Sequence, residues 1–93
     1  MTLGRLVFRI HAVQRMARRN ISDAEVRRVL TDGETIEEYP DDTPYPSRLV
    51  LGWSGTRPLH VVAAHNAADG ETIVITVYEP EPGQWEAGFR RRR

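Results

Sequence analysis

His11, Arg15 and Arg18 fall at i, i+4 and i+7, the spacing that lines one face of a helix. Far downstream, Arg57 to Pro82 holds two apolar runs around an Asp69-Gly70 turn, with His60, His65, Thr76 and Tyr78 along them. Histidine, arginine and tyrosine together can carry out metal-independent cleavage of an RNA phosphodiester. A base takes the 2′-hydroxyl proton, an acid protonates the leaving 5′-oxygen, and fixed positive charge holds the crowded phosphorane. A histidine suits either proton role near neutral pH. On this reading His60 or His11 is the general acid/base, Arg15 and Arg48 clamp the phosphate, and Tyr78 is an orienting hydroxyl. Arg18, Arg90 and Arg91 add phosphate contacts. The two clusters can meet only in the folded chain, and the expectation is one pocket that holds both.

Each residue also has a purely structural reading. His60 sits between Leu59 and Val61 and could be a bonded core histidine; Tyr78 could be a packing residue with a wet hydroxyl. Arg15 and Arg18 could be solvated helix charges, and Trp85 reads as a plug for one end of the core. The functional case rests on the combination.

Other chemistries find less support. There is no cysteine, which removes disulfides, thiolate metal sites and cysteine nucleophiles. His60 and His65 are five apart on a strand pattern and point to opposite faces, so they cannot chelate one ion. None of Ser22, Ser47 and Ser54 lies in a Gly-x-Ser-x-Gly elbow, and no glycine-rich phosphate loop occurs. No metal and no cofactor is expected.

Ninety-three residues imply one domain, with its core over about 8–88 and an arginine tail at 90–93. The opening residues lack a small-residue cleavage site, and no run is long enough to span a bilayer, so a cytoplasmic location and no membrane partner are expected. The net charge of zero hides segregation. Residues 1–31 carry seven Arg against Asp23 and Glu25, residues 32–46 carry six acids and no base, and the chain ends on four Arg. Every basic residue is Arg, the side chain that grips phosphate bidentately. The acidic segment, stiffened by Pro40, Pro44 and Pro46, is suited to docking a basic partner.

Residues 10–19 predict a helix that buries Ile10, Val13 and Ala17, stopped by Asn20 in a left-handed conformation. Ser22-Asp23-Ala24-Glu25 is a capping box that starts a second helix burying Val26, Val29 and Leu30 and ending at Gly33. Strand patterns follow at 35–39, 48–53, 59–65 and 72–78, with 3–8 as a further candidate. The result is an α+β fold, two N-terminal helices packed on a four- to five-stranded antiparallel sheet. In the last hairpin, parity puts His60, Val62 and Ala64 with Ile73, Ile75 and Val77, and Tyr78 on the other face. Trp85 to Arg93 is expected to dock with a frayed end.

Several spaced motifs carry a family resemblance. They are His11-Ala-x-x-Arg15-Met, Arg19-x-Ile21-Ser22 with Val26, Gly33, Tyr39-Pro40 and Pro46-Ser47-Arg48. Pro58-Leu59-His60-Val61-Val62 and Thr76-x-Tyr78-x-Pro80 with Trp85 complete the series. In this order, over about residues 8–90, the chain resembles the small bacterial domain-of-unknown-function family 4258. That family in turn resembles the RelE/BrnT-type toxin ribonucleases. The resemblance implies a RelE-like fold and a metal-independent endoribonuclease acting on mRNA, often at the ribosome and often paired with an antitoxin. The alternative is an interaction module of the same fold that binds RNA or a protein partner without cutting; a homodimer is left open.

Overall fold

Capping chemistry sets the limits of both helices. In the computed structural model, which describes residues 3–93, α1 (Ile10–Arg19) stops where Asn20 turns left-handed at φ 54°, its N–H reaching the carbonyls of Met16 and Ala17. α2 (Asp23–Asp32) begins with the expected capping box: the Glu25 N–H donates to Ser22 Oγ (3.1 Å), and the Ser22 N–H donates to Glu25 Oε1 (2.8 Å). Gly33 ends it because no side chain fits there; a Cβ would lie 2.3 Å from the Val29 carbonyl and 2.6 Å from that of Leu51.

Five strands form one sheet: β1 (Arg5–Phe8), β2 (Glu34–Tyr39), β3 (Ser47–Ser54), β4 (Arg57–Asn66) and β5 (Glu71–Tyr78), in the order β1-β5-β4-β3-β2. The α+β class stands, with two corrections. β1 runs parallel to β5, so the sheet is mixed rather than antiparallel, and β1 precedes the helices, which therefore do not open the chain. After β1 the helical hairpin crosses one face of the sheet, α1 over β5 and α2 over β3 and β4, and delivers the chain to β2 at the opposite edge. Arg57 ties hairpin to sheet, donating to the carbonyls of Arg19 and Asn20 while pairing with Glu79 at 2.9 Å. No helix among the described residues is long and apolar enough to cross a membrane.

The core between helices and sheet is built from Val26, Val29 and Leu30 of α2, as expected, and from Val50, Leu59, Val61, Ala63, Val74 and Val77 of the strands. For α1 the expectation inverts. Ala12 and Met16 are the buried residues, whereas Ile10 is 76% and Val13 51% exposed. The physical reason is contact distance: fully buried Ala12 lets α1 lie close on β5, and Leu6 and Phe8 of β1 pack against the same core. The face without helices is covered instead by the 40–46 loop and the C-terminal segment, and Leu49, Leu51, Ala64 and Ile73 are buried there too. The expected frayed end is also corrected: the Trp85–Arg92 bridge and the Arg93 N–H to Gln84 carbonyl bond (3.0 Å) hold the last residues in a small hairpin.

Gly52 tests how tightly α2 is seated, since a Cβ there would lie 2.8 and 2.9 Å from the two Val29 methyls. Gly52→Ala should cost about 1–3 kcal/mol, the usual scale of core overpacking. It should lower the urea midpoint without changing the slope, and Val29→Ala in the same chain should make the combined loss smaller than the sum of the two single losses.

Candidate functional site

The position of His60 depends on one extra residue in β5. Val62 pairs with Thr76 and the next residue, Ala63, pairs with Val74, so Ile75 stands unmatched as a β-bulge. On the turn side of the bulge the expected parity holds, with Ala64 opposite Ile73. Beyond it the faces exchange: His60 pairs with Tyr78, and Val61 with Val77. The bulge therefore brings together His60 and Tyr78, which the simple alternation had placed on opposite faces. A second irregularity at Ile36 in β2 puts Glu37 opposite Leu49 and Tyr39 opposite Ser47, on this same helix-free face.

His60 is fully buried and both ring nitrogens are bonded. Nε2 lies 2.9 Å from the Phe89 carbonyl, which can only accept, so Nε2 carries the proton. Nδ1, 3.2 Å from the Tyr78 hydroxyl, then accepts. The Trp85 ring stands edge-on to the imidazole at 4.4 Å, and the Arg92 guanidinium lies 4.6 Å over the Trp85 ring. Arg92 in turn holds Glu37 with two bonds of 3.2 Å, while the Tyr39 hydroxyl donates to the same carboxylate at 2.5 Å. Burial holds the His60 pKa below its ordinary value of 6.5, against the raising effect of the Phe89 carbonyl. Burial likewise raises Tyr78. The hydrogen bond from Tyr39, helped by Arg92, lowers Glu37. The result is a neutral, packed histidine in a closed polar cluster, not one presented to a substrate.

His11 lies elsewhere. With Arg9 it forms one rim of a groove of about 430 Å³ whose floor is Ala64, Ile73 and Ile75 and whose far wall is Asp42 to Tyr45. The far wall is anchored: Ser47 Oγ donates to Asp42 (2.6 Å), and Asn66 Nδ2 donates to the Tyr45 hydroxyl (3.0 Å). His11 is exposed, and His60 does not line this groove, so the two clusters form separate sites rather than the one expected pocket. Arg48 pairs with Glu38 and Ala63, which places it by register on the helix-bearing face, away from both. Arg15 is half-buried and Arg18 exposed on α1. His65 pairs with Thr72 and belongs to neither cluster.

Residues that the sequence reading did not select are Arg9, Asp42, Thr43 and Tyr45 around the groove, and Glu37 and Phe89 around His60. Only the proline-rich acidic loop was a visible signal for the first group. The second depends on the bulges and the docked tail. Among the described residues no cluster of three His, Asp or Glu could hold a metal ion.

The charge blocks resolve as well. Arg90 pairs with Glu34 (2.7 Å) and Arg92 with Glu37, so the arginine tail offsets Glu34 and Glu37 of β2. Arg91 leaves its side chain exposed. By contrast the side chains of Arg9, Arg15, Arg18, Arg19, Arg27 and Arg28 make no hydrogen bond or ion pair among the described residues. A family model described as Domain of unknown function (DUF4258) matches residues 8–79. No curated protein and no solved structure matches the chain.

The buried His60 makes stability pH-dependent. Its folded pKa lies below the unfolded value of 6.5, so the unfolded chain binds the proton first as pH falls. The contribution is complete above the unfolded pKa and is lost as pH falls from there towards the folded one. The loss is about 1.4 kcal/mol for each tenfold separation of the two proton affinities. Urea midpoints measured from pH 7.5 down to pH 5 should fall for the native protein. His60→Gln, which keeps a donor for Phe89 but cannot ionise, should flatten that fall.

Proposed function

We propose that this chain, which belongs to the DUF4258 family, is an RNA-directed protein of the metal-independent endoribonuclease type, akin to the RelE/BrnT toxins. The observation that carries the reading is the unequal pairing of charge. Arg90 and Arg92 of the tail pair with Glu34 and Glu37 of β2, whereas six helix-side arginines, Arg9, Arg15, Arg18, Arg19, Arg27 and Arg28, have no partner among the described residues. A polyanion is the ligand that such a surface attracts, and phosphate is the group that guanidinium holds best.

The chemistry belongs at the groove. His11 is accessible there, Arg9 stands beside it to hold a phosphate, and the Tyr45 hydroxyl and Asp42 carboxylate face them across an apolar floor. His11 is the proton-transfer group and Arg9 the electrostatic one, with Arg15 and Arg18 guiding the backbone of the substrate. His60 and Tyr78 act as a structural pair that holds the sheet and tail in register. Arg48, on the helix-bearing face by register, is not assigned to the groove. Cytoplasmic mRNA is the proposed substrate, and an antitoxin-like protein the proposed partner.

A second reading, an interaction module without catalysis, is favoured by the apolar Ile10–Val13 patch of α1, which no part of the described chain covers. Under it, Ile10→Asp with Val13→Asp abolishes partner capture while RNA ends stay unchanged.

Brief induction followed by mapping of new 5′ ends tests the first reading. The native chain should generate ends that His11→Ala lowers by about 100-fold or more, the usual share of one acid/base group, while His60→Gln retains them. Equal cleavage by His11→Ala, or no new ends at all, removes the catalytic assignment. For binding, Arg18→Gln with Arg19→Gln should flatten the slope of log K against log salt by about 0.7 for each lost contact to single-stranded RNA.

A further inference from the structure

A second cavity lies at the other edge of the sheet. β2 stops pairing at Glu34 opposite Leu51, so the β2-facing edge of Gly52 and Trp53 has no strand neighbour. The notch beyond that last pair has a volume of about 330 Å³, within the range of small-molecule sites. Its walls include Arg28 and Asp32 of α2, Glu34, Gly52, Trp53 and Arg90.

Three features of this notch point to one ligand chemistry. Trp53 is 44% exposed, whereas the chain's other tryptophan, Trp85, is buried. Its one aromatic neighbour among the described residues, Phe89, meets it edge-on at 6.0 Å and 66°, a contact that steadies the indole without forming a parallel stack. Arg28 is exposed and unpaired among the described residues, so its guanidinium is available to a phosphate. Asp32 and Glu34 are both on the same notch; Glu34 already holds Arg90 at 2.7 Å, so the Asp32 carboxylate is the acceptor open to a ligand N–H group, and it disfavours a bare polyanion. A flat ring with amino or imino donors, joined to a single phosphate, satisfies all three. A purely anionic or purely apolar ligand does not.

From this arrangement we infer that the notch is a base subsite for a purine nucleotide, the ring stacked on Trp53, its N–H edge towards Asp32 and its phosphate on Arg28. The inference deepens the RNA-directed reading and rests on it for the physiological ligand, a purine of single-stranded RNA. Stacking on an aromatic side chain is sequence-tolerant and strong enough to anchor one base, while the unpaired helix arginines carry the flanking backbone. The subsite is separate from the His11 groove, so it positions RNA and takes no part in proton transfer.

Calorimetric titration with GMP, guanosine and ribose 5-phosphate tests the subsite. The native chain should bind GMP with a Kd of about 0.1–1 mM, guanosine more weakly, and ribose 5-phosphate not measurably. Trp53→Ala should weaken GMP about tenfold or more, the loss expected for a stacked base. Trp53→Phe should retain most of the affinity, which separates loss of the platform from loss of the fold. Arg28→Gln should bring GMP down to the level of guanosine, and His11→Ala should leave GMP binding unchanged. The subsite is overturned if GMP fails to bind at about 5 mM, if ribose 5-phosphate matches GMP, or if Trp53→Ala binds normally. Failure here with RNA still bound by the helices removes the subsite alone. GMP binding in the notch without any RNA binding or cleavage removes the RNA-directed reading and leaves a nucleotide site.

Discussion

One unmatched residue, Ile75, governs how this sheet presents its side chains. A bulge adds a residue to one strand and so exchanges the two faces beyond it. Here the exchange places Tyr78 beside His60 and sends Val77 to join Val61 under the helices. Strict alternation would put the Tyr78 hydroxyl into an apolar layer, where an unbonded hydroxyl costs on the order of 1–3 kcal/mol. The same device at Ile36 turns Glu37 towards the helix-free face. Two local irregularities thus deliver His60, Tyr78, Glu37 and Tyr39 to one side of the sheet, and the C-terminal segment folds against that set.

The tail is consequently part of the domain. Trp85 packs edge-on to His60, the Phe89 carbonyl takes the Nε2 proton, and Arg92 spans Trp85 and Glu37. The Arg92–Glu37 pair is partly shielded and doubly bonded, which places it among the more effective surface ion pairs. Arg90 to Glu34 is more exposed, and its energetic share is correspondingly small. Its larger consequence is electrostatic. The tail offsets Glu34 and Glu37 locally, whereas Arg15, Arg18, Arg19, Arg27 and Arg28 of the helical hairpin have no such partner among the described residues.

Much of the fold was legible in the sequence because its signals are local. The Ser22–Glu25 capping box, the Asn20 stop, the Val26-Val29-Leu30 stripe and the four downstream strands all depend on neighbours within a few residues. What escaped depends on distant pairing. The buried side of α1 was misread because apolar residues were counted, whereas the sheet selects for close approach and takes Ala12 and Met16. The parallel β1–β5 pairing joins segments more than sixty residues apart, and no short-range pattern encodes direction. At the site, Trp85 was legible as a plug, but the pairing of the arginine tail with β2 was not: the tail read as a phosphate-binding end and the acidic segment as a dock for a basic partner, whereas Arg90 meets Glu34 and Arg92 meets Glu37. Nor was the meeting of His60 with Tyr78, since a β-branched run such as Thr72 to Val77 does not mark which residue will bulge.

The two histidines illustrate how similar residues are assigned different work by their surroundings. His60 gains a donor contact, an acceptor contact and aromatic neighbours, and in exchange loses access to water and to charge. Proton transfer to a substrate would require it to break at least one of those bonds and to ionise where burial disfavours the cation. His11, at the start of α1, is exposed on the rim of a groove, beside Arg9, with oxygen-bearing side chains opposite. A group that must cycle between protonation states needs solvent or substrate within reach, and a group that fixes a register needs to be shielded from both. The buried cluster meets the second requirement, the groove leaves His11 open to solvent, and the bulge separates the strand segments that line the two.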